Sequence, residues 1–531
     1  MASRLPAGKD HAAAMTSLDA AQLATLLASL QPLLPAAVYV QVADLLGTLQ
    51  WVMELIQKKH TTIARLQRWI FGAATEKTGN IFPQTTVAGT PAPARPKGHG
   101  RNGVDQYVGA QRVAVPHPSL RAGAACPDCQ NDQGKLGLRP PSRIVRITAQ
   151  PVFSAAIFEL QQLRCNLCGR VYTAPAPPAA GTAKYAPNVG VMLGLLRFGS
   201  GLPHYRMEKM QRDFGVPLPQ STQWKLMAEG SRDLEPIGQE LITVAAAGEL
   251  LHNDDTTMRV QGLKKETATA GAERTGIFTT SIISKVGPHQ IALFFTGGNH
   301  AGENLDRLLQ HRDLGLDTPI QMCDALSRNR SKEFTVLLAN CLPHGRRNFV
   351  DVAEDFPAPC QHVLESLAQV FANEAQAKQQ KLGPEPRLRF HQEHSQPVME
   401  TLHAWMKEQM DQKKVEPNSG LGEAINYMFN HWGPLTLFLR QPGAPLDNNI
   451  CERALKMAIL HRKNSLSYKT QNGARVGDLF MSLIHTCRLN GANPFDYLTT
   501  LQRYASAVKT NPGQWLPWNY LQTLTSLSTS Y

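Results

Sequence analysis

The chain has 531 residues, of which 42% are hydrophobic, and it carries a formal net charge of +12 at pH 7. This length predicts several domains, and the basic charge predicts a polyanionic partner, most commonly nucleic acid and less commonly a membrane surface. No run of 18 apolar residues is present, so we expect no membrane-spanning helix.

Residues 1–41 are rich in Ala and Leu, and they predict either a helix or a loose N-terminal extension. Asp19, Gln22 and Gln31 interrupt the apolar positions of this segment. The interruptions argue against a secretory signal and favour a cytoplasmic protein.

Residues 42–72 have apolar positions at three- and four-residue intervals, a pattern typical of a coiled-coil helix. The seam of this helix consists of Leu45, Leu49, Val52, Ile56, Ile63, Leu66 and Ile70. Lys59 takes one seam position, and Gly72 would end the helix. Because such a seam needs a partner, we expect it to pair either with a second copy or with another part of the chain.

Residues 73–120 are rich in Pro, Gly and basic residues, and they predict a linker. Two CxxC pairs follow within residues 121–175, and short strand-like runs separate them. Two such pairs can complete a tetrahedral zinc site, whereas the alternatives are two unrelated pairs or a redox dithiol. No thioredoxin-like strand and helix surround either pair. We therefore expect one structural Zn²⁺ bound by Cys126, Cys129, Cys165 and Cys168.

The other five cysteines are scattered, and we expect them to be small buried hydrophobic residues and not a site. They are Cys323, Cys341, Cys360, Cys451 and Cys487. The use of cysteine in CxxC pairs suits a reducing compartment.

Residues 185–248 predict a helical region that resembles a helix-turn-helix. Gly215 would end the first helix, and Ser221 or Thr222 would begin the second. Both a DNA-binding unit and a plain helical hairpin fit this pattern.

Residues 249–352 predict a change to β structure. A first strand contains Asp254 and Asp255, two further strands and a short helix follow, a fourth strand ends at Asp324, and a last strand lies near residues 336–339. This order is that of a ribonuclease-H-like fold. In that fold one acid lies on the first strand, a second at the end of the fourth, and a third on a later helix.

Residues 353–430 predict a helical insertion into this core. His391 and His394 have the spacing of two metal ligands on a helix, but a solvated helix face is the favoured interpretation. Residues 431–500 would complete the core, and residues 501–531 form a tail.

The stretch PLDNNICERALKMAILHRKN, residues 445–464, predicts a helix that begins after Asp447 and extends to about Leu460. It places Glu452 among amides and is followed by cations at Arg453, Lys456, Arg462 and Lys463. A carboxylate in this setting can bind a metal while the cations hold phosphates. The alternative is an amphipathic helix with a solvated charged face.

Several motifs together closely resemble transposases of the insertion-sequence-66 family, over nearly the whole chain. They are RLQRWIFGAATEK, CPDC with CNLC, LPHYRMEKMQRDFGVPLPQST, HNDDTT, QMCDALS, CLPHGRRNF, LDNNICERALK, HRKNSLSYKTQNGA and SLIHTCRLNGANPFDYL. The resemblance implies a DDE transposase with a multidomain α+β architecture and a ribonuclease-H-like catalytic core.

The resemblance implies that Asp254, Asp324 and Glu452 are catalytic and bind two Mg²⁺ ions about 4 Å apart. The family usually has Glu where this chain has Asp255. Because a strand alternates its faces, only one of the two adjacent acids can enter the site, and the motif register selects Asp254. The segment ALSRN after Asp324 also departs from the commonest form. Since Asp324 itself is kept, we expect this departure to matter little.

Cations near the second and third acids are expected to contact DNA phosphates, and a solvated face is the alternative. They are His344, Arg346, Arg347, Arg453, Lys456, Arg462 and Lys463.

The predicted activity is cleavage of DNA at transposon ends and strand transfer into target DNA. The alternatives are an inactive or accessory DNA-binding protein of the same fold, and a ribonuclease-H-like nuclease that cuts without joining. The expected partners are double-stranded DNA, a second copy or a higher homo-oligomer, and small accessory proteins of the same element. The expected location is the bacterial cytoplasm, at the nucleoid.

Overall fold

A computed structural model describes residues 170–263 and 276–529 continuously, together with shorter stretches within residues 27–46 and 104–168. The chain divides into two compact units. One comprises Met1–Gln84, Gly190–Leu202 and Ala228–Tyr531, and the other comprises Thr85–Val189 and Pro203–Met227. Most of the predicted coiled-coil helix, as well as Cys126 and Cys129, lies outside the described residues.

The second unit contains a small antiparallel hairpin. Its strands are β1, Gln162–Arg164, and β2, Val171–Thr173, with Leu163 opposite Tyr172. Cys165 and Cys168 lie in the connection between the two strands, and the Cys165 N–H donates to the Arg170 carbonyl at 2.9 Å. The hairpin therefore places one CxxC pair at a tight turn.

Helix α1, Asn188–Gly194, begins the helical region, and α2, His204–Asp213, and α3, Gln220–Ala246, follow. Gly215 has φ 73°, a value that glycine adopts without strain, and the Val216 N–H donates to the Gln211 carbonyl at 3.0 Å. The prediction that Gly215 ends the first helix is thus confirmed.

A five-stranded mixed sheet forms the centre of the first unit, in the order β5-β4-β3-β6-β7. Its strands are β3, Leu250–Thr257; β4, Phe278–Val286; β5, His289–Gly297; β6, Ile320–Cys323; and β7, Leu337–Asn340. Strands β3, β4 and β5 are antiparallel, whereas β6 and β7 run parallel to β3. Gly287 has φ 56° in the two-residue loop between β4 and β5, as a tight hairpin turn requires.

Helices surround this sheet and form a large insertion after it. They are α4, Ala301–Leu309; α5, Leu342–Asp351; α6, Pro357–Gln379; α7, Pro384–His394; α8, Gln396–Asp411; α9, Gly420–Asn430; and α10, Trp432–Leu435. One apolar cluster joins the insertion to the parallel half of the sheet, with Met322, Phe349, Leu364, Leu402 and Met428 fully buried. None of the helices in the described ranges has the length and hydropathy needed to cross a bilayer.

The predicted solvated face of the HxxH pair is wrong for His391. His394 is exposed, but His391 is fully buried, with Nε2 2.9 Å from Glu374 and Nδ1 2.9 Å from Ser395. Glu374 also contacts Arg387 at 2.9 Å and Lys378 at 3.0 Å. His391 therefore belongs to a buried polar network that fastens α6 to α7.

The C-terminal helices are α11, Asn449–Ser465; α12, Gln471–Leu489; α13, Pro494–Arg503; α14, Ala505–Thr510; and α15, Tyr520–Thr529. The residue directly before α11 is Asn448, whereas the sequence predicts Asp447 at this position. The Asp447 carboxylate instead accepts the Asn449 N–H at 3.0 Å in a local turn. The helix also extends five residues beyond the predicted end at Leu460.

Helix α12 lies along the outer edge of β5 and bonds to its main chain through side chains. The N–H groups of alternate β5 residues donate to polar side chains spaced four residues apart on α12 and at Asn490 directly after it: Gln290 to Asn490, Ala292 to Thr486, Phe294 to Ser482, and Thr296 to Asp478. Four helical residues rise about 6 Å and two strand residues about 6.6 Å, so the two spacings nearly match. This polar ladder satisfies main-chain groups that would otherwise be unpaired.

Candidate active site

Asp254 and Asp255 point to different partners at the carboxyl end of β3. The carboxylates of Asp324 and Glu452 are near enough to Asp254 to oppose its ionisation. Asp255 instead contacts His300 at 2.9 Å, and its side chain is only 1% exposed. Since successive residues of a strand face opposite sides of the sheet, the backbone itself separates the two acids.

Asn329 connects the first two acids of the site. Its side-chain amide donates to Asp324 Oδ1 at 2.7 Å and more weakly to Asp254 Oδ1 at 3.4 Å. The main-chain carbonyl of Asn329 accepts hydrogen bonds from the side-chain amides of Asn253 and Gln321, both at 2.7 Å. Asn329 is fully buried, so these bonds hold the segment after β6 firmly against β3.

Asp254 is hard to ionise in this arrangement. Burial and then the carboxylate of Asp324 raise its pKa, Asp255 and Glu452 add to the effect, and the Asp255 N–H partly offsets it, giving a value of about 7. The site thus holds more negative charge than its neighbours neutralise. An excess of convergent carboxylates is the donor set that a divalent cation with hard oxygen preference requires.

Asp255 stabilises the start of α4. Its Oδ2 accepts the Ala301 N–H at 3.3 Å as well as contacting His300, and its Oδ1 lies 3.7 Å from the Arg328 guanidinium. A carboxylate at a helix N-terminus is favourable because unpaired N–H groups and the helix dipole meet it there. The contacts of Asp255 are therefore those of a structural residue.

The start of α11 is fastened to β3 by an interlocked pair, which fixes the position of Glu452 one turn later. His252 Nδ1 lies 3.0 Å from Asn448 Oδ1, and the Asn448 amide donates to the Asn253 carbonyl at 3.1 Å. Burial lowers the pKa of His252 to about 4, although the Asn448 side chain partly opposes this shift. The imidazole is consequently neutral at physiological pH.

Glu452 also belongs to a second group of ligand atoms. The Cys341 Sγ, a His344 ring nitrogen and a Glu452 carboxylate oxygen all lie within 4.8 Å of one another. His344 Nδ1 is buried without a hydrogen-bond partner among the described residues, 4.0 Å from Glu452 Oε1. Sulfur, nitrogen and oxygen ligands together suit a transition metal better than magnesium.

The predicted buried cysteines are found as expected, since all five are buried. Cys341 is also one of three residues that could hold a metal ion, because His344 and Glu452 approach its sulfur from α5 and α11. The expectation that none of the five cysteines belongs to a site stays a prediction. The Asn448 N–H also donates to Cys341 Sγ at 3.3 Å.

The predicted DNA-contacting cations have different surroundings. Arg453, Lys456 and Lys463 are exposed on α11, and Arg347 is exposed on α5 beside the half-buried Arg346. Arg462 instead bonds to the hydroxyls of Thr256 and Thr257 and to the Thr257 carbonyl. Arg462 therefore holds the end of β3.

The segment ALSRN supplies Asn329 to Asp324 and Asp254 and Arg328 to Asp255, and these contacts weigh against the expectation that its departure from the commonest form matters little. A local signal was present in the sequence, since a strand that ends in Asp commonly turns back over its own carboxylate. Here the Leu326 N–H donates to Asp324 Oδ1 at 3.2 Å, and a short 3₁₀ turn, Ser327–Asn329, follows.

Residues 185–476 match the family described as Transposase IS66 family. The chain is also similar to three proteins of Sinorhizobium fredii (strain NBRC 101917 / NGR234), each named only as uncharacterized. Protein y4jD is 26% identical over 498 residues, which cover 86% of this chain and 93% of the relative. Protein y4hP is 25% identical over 68% of this chain and 67% of the relative, and y4qI is 26% identical over 62% and 61%.

Proposed function

The chain belongs to the IS66 transposase family, and from that premise we propose that it is a DDE transposase that cleaves transposon ends and joins them to target DNA. The observation that carries this proposal is the convergence of Asp254, Asp324 and Glu452 at one end of the sheet. Burial and the neighbouring carboxylates together raise the pKa of Asp254 to about 7, and this supports a cation-binding role for the three acids.

The topology supports a ribonuclease-H-like core. Three antiparallel strands are followed by α4 and by two strands parallel to β3, and the second acid directly follows β6. The third acid comes from α11, after the helical insertion. Three acids distant in sequence thus reach one site through the order of the elements.

The residues present fit a pair of magnesium ions, which Asp254, Asp324 and Glu452 would hold. When bound, the two ions supply a lowered pKa for the attacking hydroxyl and charge stabilisation for the leaving oxygen. Bound Mg²⁺ would favour the ionised form of Asp254, so the Asp254 carboxyl group would release its proton when the ions bind.

The chain itself contributes orientation. The Asn329 amide holds the Asp254 and Asp324 carboxylates at one distance from each other, and the bond between His252 and Asn448 fixes the helix that carries Glu452. Arg453, Lys456 and Lys463 extend from that helix into solvent, where they would bind DNA phosphates without reading the sequence.

The experiment that tests the proposal is a joining assay with purified full-length protein. A duplex with the terminal inverted repeat of the element and a supercoiled plasmid are incubated with Mg²⁺. We expect joined products from the wild type, and none from Asp324→Ala or Glu452→Ala, although both variants still bind the repeat in Ca²⁺. Release of ends without joining would identify a nuclease, and binding without cleavage would identify an accessory protein.

Two further features of the proposed enzyme rest on the sequence. Cys126, Cys129, Cys165 and Cys168 would hold one structural Zn²⁺, and the seam of residues 42–72 would join two subunits so that each transposon end meets one active site. The protein would bind target DNA at the nucleoid in the cytoplasm, and small proteins encoded by the same element would assist transposition. Metal analysis with Cys165→Ser and light scattering of the full chain test the first two features.

A further inference from the structure

A positively charged pocket lies beside the acids, on the Asp255 side of β3. It is a cavity of about 330 Å³, and its aromatic and charged lining residues are Phe278, His300, Glu303, Arg328, Arg330 and Lys332. Three of these six residues carry a permanent positive charge. The volume is at the lower end of the range for ligand sites, which suits a small group and not an extended organic molecule.

The nearby carboxylates leave part of this charge uncompensated. Asp255 is buried between His300 and Arg328, and Glu303 accepts the His300 N–H at 2.8 Å. Lys332 has no ion-pair partner within the described residues, because only its main-chain N–H meets the Asp306 carboxylate. The pocket therefore favours an anion.

Arg330 offers a donor that the protein leaves unused. Its Nη2 lies 3.3 Å from the Ala325 carbonyl and 3.4 Å from His431 Nδ1, which leaves those contacts weak. Its Nε is buried and has no hydrogen-bond partner in the described part of the chain. A buried donor without an acceptor costs free energy, and an oxyanion would recover it.

The pocket adjoins the proposed reaction site through a single residue. Arg328 and Arg330 flank Asn329, whose side chain bonds Asp254 and Asp324. Because Asn329 contacts the acids from the same turn that carries Arg328 and Arg330, a polyanionic strand held at Asp254 and Asp324 would pass beside this turn. A DNA strand is consequently a better candidate for the occupant than a free small anion.

We propose that this pocket, here called the Arg328–Lys332 pocket, binds an internucleotide phosphate of the DNA strand that enters the active site. The proposal rests on the proposed function and deepens it. Arg328, Arg330 and Lys332 are positioning residues, since they hold the strand while the acids hold the reacting phosphate.

The test uses full-length protein and end duplexes in which one phosphate at a time is replaced by a neutral methylphosphonate. Affinity is measured in Ca²⁺, so that binding is separated from chemistry. We expect the wild type to lose roughly tenfold in affinity at a few positions next to the cleavage point, as the loss of one charge-assisted contact predicts. The affinity of Lys332→Ala should no longer respond to methylphosphonate substitution at one of these positions, and it should still fall when the others are substituted.

Two variants accompany Lys332→Ala. Lys332→Arg should restore the sensitive position, and Lys407→Ala, which removes an exposed lysine on α8, should leave the whole pattern unchanged. The salt dependence of binding should also fall by about 0.9 in its logarithmic slope for Lys332→Ala alone, because one phosphate contact is lost. Equal melting temperatures of the three variants would show that folding is intact.

A Lys332→Ala protein that keeps every sensitive position would overturn the proposal for the pocket. A wild type that shows no preference for end DNA and no sensitive position would overturn the proposed function, so the two failures are distinguishable. Titration with inorganic phosphate completes the test. If Lys332→Ala weakens phosphate binding but leaves the methylphosphonate pattern unchanged, the pocket holds a free anion and the DNA assignment is wrong.

Discussion

Asp254 and Asp255 are neighbours on β3, yet Asp254 meets the acids Asp324 and Glu452, whereas Asp255 is buried against His300 at the start of α4. Asp254 therefore lies among other carboxylates, whereas the next residue along the strand, Asp255, lies against His300 and Arg328. The two carboxylates are chemically identical, so their different neighbours alone give them different roles.

The first prediction compares isosteric changes at these two positions. Asp254→Asn should lower DNA joining by at least about a thousandfold, because a metal ligand worth several kcal/mol is lost. Asp255→Asn should retain joining within about tenfold and lower the melting temperature by roughly 2 °C, since the charge at the start of α4 is removed. Joining assays and thermal denaturation on both proteins give the answer. A reversed pattern would assign the catalytic role to Asp255.

The second prediction concerns the amide between the acids. Asn329→Ala should reduce joining by about 10- to 100-fold and raise the Mg²⁺ concentration needed for half-maximal rate, because residues that orient metal ligands commonly contribute this much. A Mg²⁺ titration of the joining rate measures both effects. Leu326→Ala serves as the control, since the Leu326 side chain is 47% exposed in the same segment and only its main-chain N–H meets Asp324. An unchanged Mg²⁺ requirement in Asn329→Ala would remove Asn329 from the site.

The third prediction concerns thiophilic metals. Cys341, His344 and Glu452 should capture Cd²⁺ or Zn²⁺ at micromolar concentration and inhibit Mg²⁺-dependent joining, because Glu452 cannot serve both sites. Burial raises the pKa of Cys341 to about 12, so capture must displace a proton and should strengthen as the pH rises.

Cadmium–thiolate absorption and joining activity measure this capture together. Cys341→Ser should lose one cadmium equivalent and resist inhibition, whereas Cys360→Ser, which removes another buried thiol, should behave as the wild type does. Equal inhibition of all three proteins would place the inhibitory metal elsewhere.

The fourth prediction concerns acid stability of the helical insertion. Burial disfavours the Glu374 carboxylate, but bonds from His391 and Arg387 outweigh this and lower its pKa to about 2. Because the folded pKa is below the ordinary value of 4.5, the stabilisation is complete above about pH 4.5 and is lost as the pH falls toward 2.

Glu374→Gln should therefore cost about 3 kcal/mol at pH 7 and progressively less below pH 4.5. Denaturation with urea, followed by far-UV circular dichroism at each pH, measures this cost. Glu393→Gln is the matched control, because Glu393 is 76% exposed and should change stability by less than about 0.5 kcal/mol. A pH-independent cost for Glu374→Gln would contradict the linkage.

Much of the sheet could be predicted because its strands carry local signals. Runs of β-branched residues and the Gly287 turn identify β4 and β5, and Asp324 directly follows the short apolar run of β6. The register of one strand and the family motif led to the choice of Asp254 over Asp255, which stays a prediction.

The contacts that complete the site are not local, and the sequence shows none of them directly. Asn329 meets Asp254 across 75 positions, and Asn448 meets His252 across 196. His391 appears as a surface histidine until Glu374, 17 positions away, is folded beside it. Periodicity describes which face an element buries, but it does not name the partner on the other side of the contact.

The polar ladder between α12 and β5 has a consequence for how copies of this protein assemble. An incoming strand would have to displace side chains that already occupy the main-chain groups of β5 at four alternate positions. The ladder thereby prevents strand addition and edge-to-edge aggregation at the β5 edge of the sheet. Substitutions that remove the hydroxyls of Ser482 or Thr486 would open a route to association at this edge that the native fold avoids.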